Sequence, residues 1–63
     1  MENIKLSEVK KGDYIKRKSD SKQVWIRDDY DRGSKKFILI NTDDIGHSML
    51  MKGSKLVFID FDY

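Results

Sequence analysis

The chain has 63 residues, of which 38% are charged, and its formal net charge at pH 7 is only +2. It contains no cysteine and a single histidine, His47, which excludes disulfides, thiolate metal sites and multi-histidine metal sites. A chain of this length has room for one domain and needs nearly every apolar segment for its core. We therefore expect a single domain over residues 1–63.

Positive charge is concentrated in the first part of the chain. Residues 1–36 hold eleven Lys and Arg against seven Asp and Glu, whereas residues 37–63 hold two against four. A surface with a positive balance attracts anionic partners. The first five residues lack the apolar stretch of a secretion signal, and no apolar run approaches the roughly 20 residues of a membrane span. We expect a cytoplasmic protein that has no membrane association.

The N-terminal segment predicts a helical turn, a chain reversal and a strand, in that order. Leu6 and Val9 lie three residues apart, which suits a single helical turn capped by Ser7. Gly12 is free to adopt a positive φ and reverse the chain. The first predicted strand then covers residues 14–18.

Four further apolar segments, each bounded by turn residues, predict the rest of a β domain. They are too short and too rich in β-branched and aromatic residues for helices. Strands that recur about every ten residues favour an antiparallel barrel or sandwich over a βαβ fold. These strands are predicted from residue 23 to 29 or 30 and over residues 35–41, 47–51 and 55–61, with a hairpin turn at residues 31–34. We predict a mainly β fold, a small five-stranded antiparallel SH3-like barrel or meander with one short helical turn near the N-terminus.

Alternation of side chains along each strand divides the predicted sheet into two faces. One face is aliphatic, and we predict that it forms the interior. The other face carries aromatic rings with cations among them. The predicted interior face comprises Ile15, Val24, Ile26, Ile38, Ile40, Val57 and Ile59, and the opposite face carries Tyr14, Lys16, Trp25, Arg27, Phe37 and Phe58.

Aromatic and cationic side chains are the strongest functional candidates in the sequence. Basic side chains follow the phosphates of a nucleic-acid strand, and exposed rings stack on its bases. The neighbouring aspartates weaken this hypothesis, and the same rings also suit a second small core or a protein-binding surface. The candidate nucleic-acid-binding residues are Lys16, Trp25, Arg27, Tyr30, Arg32 and Lys35.

The acidic residues do not predict a metal site or catalysis. An EF-hand loop that begins at Asp28 has Tyr30 and Arg32 at two of its ligand positions. Leu39 then occupies the position of the terminal glutamate, so the motif fails. Residues 43–47 supply two carboxylates and one imidazole, but no nucleophile and no second histidine. We expect a protein that is not an enzyme and that uses no cofactor and no metal.

The C-terminal strand predicts a second function, which is a protein interaction or self-association. Residues 56–63 have the character of an exposed edge strand, in which Asp60 and Asp62 are the only charged residues that would oppose pairing. Exposed edges pair with strands of other chains. The apolar residues 49–51, two of which are methionine, suit an adaptable binding surface. A protein partner or a homodimer is therefore predicted as an alternative to nucleic acid.

Groups of residues spread over the chain after Lys10 resemble short uncharacterised β-rich proteins of gut Bacteroidales genomes and of their phages and mobile elements. Residues 4–15 also resemble the start of SH3-like small β-barrels. The first resemblance implies no activity, cofactor or catalytic residue. It implies a context, because small accessory proteins of mobile elements commonly bind nucleic acid or a host protein. The residues that carry it are Val24–Arg27, Tyr30–Arg32, Lys35–Phe37, Asp43–Ile45 with His47, and Lys52–Gly53.

Overall fold

A computed structural model describes residues 1–61 and shows a mainly β protein with six strands and one 3₁₀ turn. The mainly β prediction is confirmed, but the predicted number of strands is wrong. The additional strand precedes the first predicted one, and sequence alone did not indicate it because only one of its four residues is apolar. The elements are β1 (Glu2–Lys5), the 3₁₀ turn (Leu6–Glu8), β2 (Tyr14–Ile15), β3 (Trp25–Asp31), β4 (Lys36–Asn41), β5 (Ser48–Met51) and β6 (Leu56–Ile59).

The six strands form two sheets that join into a curled, partly barrel-like surface. β1 pairs with β6, and the second sheet has the order β2-β3-β4-β5, with every pairing antiparallel. Lys16 and Phe58 connect the two sheets, since the N–H of each donates to the carbonyl of the other at 2.9 and 2.8 Å. β6 therefore lies between β1 and β2, and the prediction that it is an exposed edge is wrong. Asp62 and Tyr63, which belonged to that prediction, lie outside the described residues.

The core lies on the concave side, between the four-stranded sheet, β6 and the N-terminal turn. Its buried members are Leu6, Val9, Ile15, Trp25, Leu39 and Val57.

The predicted interior face is confirmed for Ile15, Val24 and Val57, which are buried, and for Ile59, which packs against the core, but it is wrong for the centre of β3 and β4. Trp25 is 3% exposed and Leu39 is fully buried, whereas Ile26, Ile38 and Ile40 are half-buried on the outer side. The error has a physical cause. Residues 37–40 are apolar on both faces, so alternation alone does not determine which face the rest of the chain covers.

Backbone hydrogen bonds hold the N-terminal turn against the segment that joins β5 to β6. The predicted helical turn is confirmed as the 3₁₀ turn, and Val9, which follows it, is buried. The prediction that Ser7 caps this turn is wrong, because Lys5 occupies the cap position and makes no side-chain capping bond. The N–H of Ser7 instead donates to the carbonyl of Gly53 at 3.0 Å. Gly12 adopts φ 92°, as predicted for the chain reversal.

Candidate nucleic-acid interface

A β-bulge in β3 places Arg27 and Tyr30 on the same face of the sheet. Arg27 pairs with Leu39, and Tyr30 pairs with Phe37. Residues 28–29 therefore oppose a single residue of β4, which is the pattern of a bulge. In a regular strand two residues three positions apart point to opposite faces. The bulge removes that offset and brings both side chains into contact with the ring of Phe37.

The ring of Phe37 is the centre of this arrangement. The guanidinium carbon of Arg27 lies 4.4 Å from the ring centroid, within the range of a cation–π contact. The ring of Tyr30 meets Phe37 edge-on, with 4.8 Å between centroids and 62° between planes. Tyr30 itself is 44% exposed, so a large part of this residue is open to solvent. We call Arg27, Tyr30 and Phe37 the hairpin cluster.

Arg27 makes no ion pair with any carboxylate of residues 1–61, although three aspartates follow it closely in β3. Asp29 forms an ion pair with Lys11, and through that hydrogen bond and its charge it raises the pKa of Lys11 above the ordinary value. Asp31 accepts hydrogen bonds from the N–H of Gly33 at 3.1 Å and the hydroxyl of Ser34 at 3.0 Å. The Nε of Arg27 is buried and has no hydrogen-bond partner within the described chain. No ion pair within the described chain therefore neutralises this guanidinium.

Two further cations lie in the loop that joins β3 to β4. The predicted hairpin turn is confirmed, and it exposes both Arg32 and Lys35. Lys35 adopts φ 59°, the left-handed conformation that ends many such loops. The carboxylate of Asp31 holds the loop by the two hydrogen bonds described above. The loop therefore presents two cations from a fixed turn at one end of the hairpin cluster.

Trp25 and Lys16, the other two predicted binding residues, lie away from the hairpin cluster. The ring of Trp25 belongs to the core and lies 5.6 Å from the imidazole of His47, so it offers no face to a base. Lys16 lies beyond the opposite end of β3, about 17 Å along the sheet from Tyr30, because the bulge leaves five paired steps of about 3.3 Å between them. Its ammonium is 4.7 Å from the ring centroid of Phe61.

The acidic loop between β4 and β5 has a structural role. The side-chain oxygen of Asn41 accepts the N–H groups of Asp43 and Asp44 at 2.8 and 3.2 Å. Asp44 then accepts the N–H of Gly46 with its carboxylate and the N–H of His47 with its carbonyl. Across residues 1–61 no three His, Cys, Asp or Glu side chains lie close enough together to hold a metal ion.

Sequence reasoning missed two features on which the cluster depends. The first is the bulge, whose signal is the Asp-Asp pair that interrupts the alternation of β3. The second is Gly53, where a Cβ would lie 2.8 Å from Cε2 of Phe37. The missing side chain lets the Phe37 ring lie against the chain at this point. Nothing in the local sequence indicates that contact, since the two residues are sixteen positions apart.

No protein-family model matches the chain, and neither a curated protein nor a solved structure shows significant similarity to it. In the described part of the chain, no helix has the length and apolar character required to cross a membrane.

Proposed function

We propose that this protein is a non-enzymatic module that binds single-stranded nucleic acid through the hairpin cluster and the cations of the β3–β4 loop. The observation that carries the proposal is the guanidinium of Arg27, which stacks on Phe37 without a carboxylate partner beside the exposed ring of Tyr30. Cations for phosphates and an open ring for a base are the two components of such sites.

Each side chain has a distinct role in this proposal. A base stacks on the open side of Tyr30, and the guanidinium of Arg27 binds an adjacent phosphate. Arg32 and Lys35 contact the next phosphates along the strand. A single strand fits better than a duplex, because the faces of paired bases are already stacked and inaccessible to a ring. Residues 27–36 carry four cations and three carboxylates, so we expect modest, salt-dependent affinity.

We further propose a fold family, a cellular location and a genomic origin for this protein. The curled sheet pair is a variant of the SH3-like small barrel, which the pairing of the first strand with the last supports. The setting is the cytoplasm and a phage or other mobile element, in keeping with the sequence resemblance.

The test is a fluorescence-anisotropy titration of labelled single-stranded and duplex DNA and RNA at several salt concentrations. Three phosphate contacts predict a slope of log affinity against log salt of about −2 for a single strand. The variant pair Arg32→Gln with Lys35→Asn removes two cations, and Asn tolerates the positive φ at position 35. We expect it to reduce the slope to about −0.7.

The matched control is Arg17→Gln with Lys18→Asn, which removes two exposed cations outside the β3–β4 hairpin. We expect this variant to retain the affinity and salt dependence of the original protein. Equal losses in both double variants would show attraction by overall charge without a site. No binding of any oligonucleotide at low salt would exclude the proposed function.

A further inference from the structure

The outer edge of β5 is an unpaired strand edge in the described chain. β5 pairs with β4 on one side only, and the sheet order β2-β3-β4-β5 ends there. Alternate residues of an edge strand direct their N–H and C=O groups outward. Such edges pair with other strands unless charge, proline or a bulge protects them.

Hydrogen bonds on the paired side identify the outward residues. The N–H of Asn41 donates to the carbonyl of His47 at 3.0 Å, which makes these two residues a hydrogen-bonded pair. Pairs alternate along an antiparallel ladder, so Met49 with Leu39 is also hydrogen-bonded. Ser48 and Leu50 therefore point their backbone groups to the open side. These outward groups comprise two N–H donors and two carbonyl acceptors.

This edge lacks the usual protection against pairing. Residues 45–51 contain no Asp, Glu, Lys, Arg or Pro, although 38% of the chain is charged. Leu50 is 44% exposed and lies opposite Ile38 on the outer face of the sheet. The open edge is thus flanked by apolar surface and not by charge.

We propose that β5 pairs antiparallel with β5 of a second copy of this chain, about a two-fold axis at Met49. In this register Ser48 of each copy lies opposite Leu50 of the other, and all four outward N–H groups of the two copies find carbonyl partners. A shift of the register by two residues would leave some of these groups unpaired. The four-stranded sheet would then continue as eight strands across the dimer.

A second copy suits this edge better than a charged partner does. The strand is neutral, so two copies meet without repulsion between like charges. The first charged residue beyond the strand, Lys52, lies opposite Gly46 of the second copy in this register and not opposite another lysine. The exposed Leu50 side chain becomes covered between Ile38 and the partner's strand. A four-residue edge is a small interface, so we expect a weak, concentration-dependent dimer.

Sedimentation equilibrium over a wide concentration range tests the association, and Ser48→Pro tests its backbone. Proline at this position removes only an outward N–H and is tolerated at the first residue of an edge strand. We expect the monomer fold to persist by circular dichroism, while the dissociation constant rises about tenfold or more as two of the four hydrogen bonds are lost. Leu50→Glu adds like charges at the pairing edge and should abolish the dimer. Leu56→Glu, an exposed control opposite Lys5 in β1, should not.

A cysteine variant tests the register. In the proposed dimer the two Met49 residues form a pair without hydrogen bonds, with about 4.5 Å between Cα atoms, which suits a disulfide. Met49→Cys, the only cysteine in such a chain, should therefore cross-link under mild oxidation faster than Leu56→Cys. A protein that stays monomeric at the highest concentration, or a Met49→Cys rate no greater than the control, would overturn the proposal. Pairing of the β5 edge with a strand of a different protein in place of its own copy would also overturn it.

Discussion

At the scale of single residues, Tyr30 is the side chain on which the proposed binding depends most. It is the exposed ring of the hairpin cluster, and the edge contact with Phe37 fixes its orientation. Trp25, the larger of the two rings among the candidate residues, is buried in the core. Removing a ring that stacks on a base should weaken binding without a large effect on folding.

We expect Tyr30→Ala to lower the affinity for single-stranded oligonucleotides about 5- to 150-fold, because stacking contributes about 1–3 kcal/mol per base. Tyr30→Phe keeps the ring and should retain most of the affinity. Anisotropy titrations at one salt concentration measure both variants. Binding also leaves the buried Trp25 untouched, so its fluorescence should change little on titration. Strong quenching of Trp25 in the original protein would contradict this arrangement.

Gly53 lies against the Phe37 ring of the hairpin cluster. A Cβ at this position would lie 2.8 Å from Cε2 of Phe37 and 3.1 Å from Cβ of Ser7, closer than ordinary contacts. We expect Gly53→Ala to displace the Phe37 ring and to reduce the free energy of unfolding by about 1–3 kcal/mol, measured by urea denaturation.

Gly33→Ala is the matched control for Gly53→Ala. Its nearest contact would be 3.5 Å from Oδ1 of Asp31, an ordinary van der Waals distance. We expect its unfolding free energy to stay within about 0.5 kcal/mol of the original value. Equal effects of the two substitutions would show that the Phe37 contact is not the cause.

At the scale of elements, the bulge in β3 is the feature that assembles the site. It places one extra residue between the pairs Arg27 with Leu39 and Tyr30 with Phe37. Deleting Asp28 should remove the extra residue and leave both pairs in register, because residues two apart in a regular strand share a face. The hairpin cluster then survives the deletion.

We expect the protein without Asp28 to keep its strand content and its contact between the rings of Tyr30 and Phe37, observed as nuclear Overhauser effects. Deleting Ile26 from the regular part of β3 is the contrasting variant. That deletion moves every side chain on one side of it to the opposite face of the sheet. Core residues would then face solvent, or solvent-facing residues would face the core. Loss of the ring contact without Asp28 would show that the cluster needs the bulge itself.

The sequence predicts elements whose signals are local. The hairpin turn at residues 31–34 and the reversal at Gly12 follow from turn residues, and both are confirmed. β1 was not predicted, because its own residues carry no strand signal and it is a strand only through its pairing with the distant β6. Four of the six predicted site residues, Arg27, Tyr30, Arg32 and Lys35, occupy one hairpin. Their grouping around Phe37 was not predictable, because at the spacing of this sequence it results from a bulge and from a contact with a distant glycine.

At the scale of the whole molecule, stability depends on contacts between the two sheets. The core draws Leu6 and Val57 from the β1–β6 side, and Ile15, Trp25 and Leu39 from the four-stranded sheet. A domain of this size has a total stability of roughly 3–9 kcal/mol at typical values per residue. Neither sheet holds enough apolar surface to fold alone, so we expect both to unfold in one cooperative transition.

Leu6→Ala tests this cooperativity, because Leu6 is fully buried where the N-terminal turn covers the core. Truncating a buried leucine costs about 2–5 kcal/mol, which approaches the stability of the whole domain. The loss should therefore appear equally in Trp25 fluorescence, which reports on the four-stranded sheet, and in circular dichroism, which reports on all strands. Leu56→Ala removes the same atoms from a side chain that is 57% exposed, and its cost should stay within about 0.5 kcal/mol. Separate midpoints for the two signals in Leu6→Ala would mean that the four-stranded sheet persists without its cover, and that the hairpin cluster does not depend on the N-terminal turn.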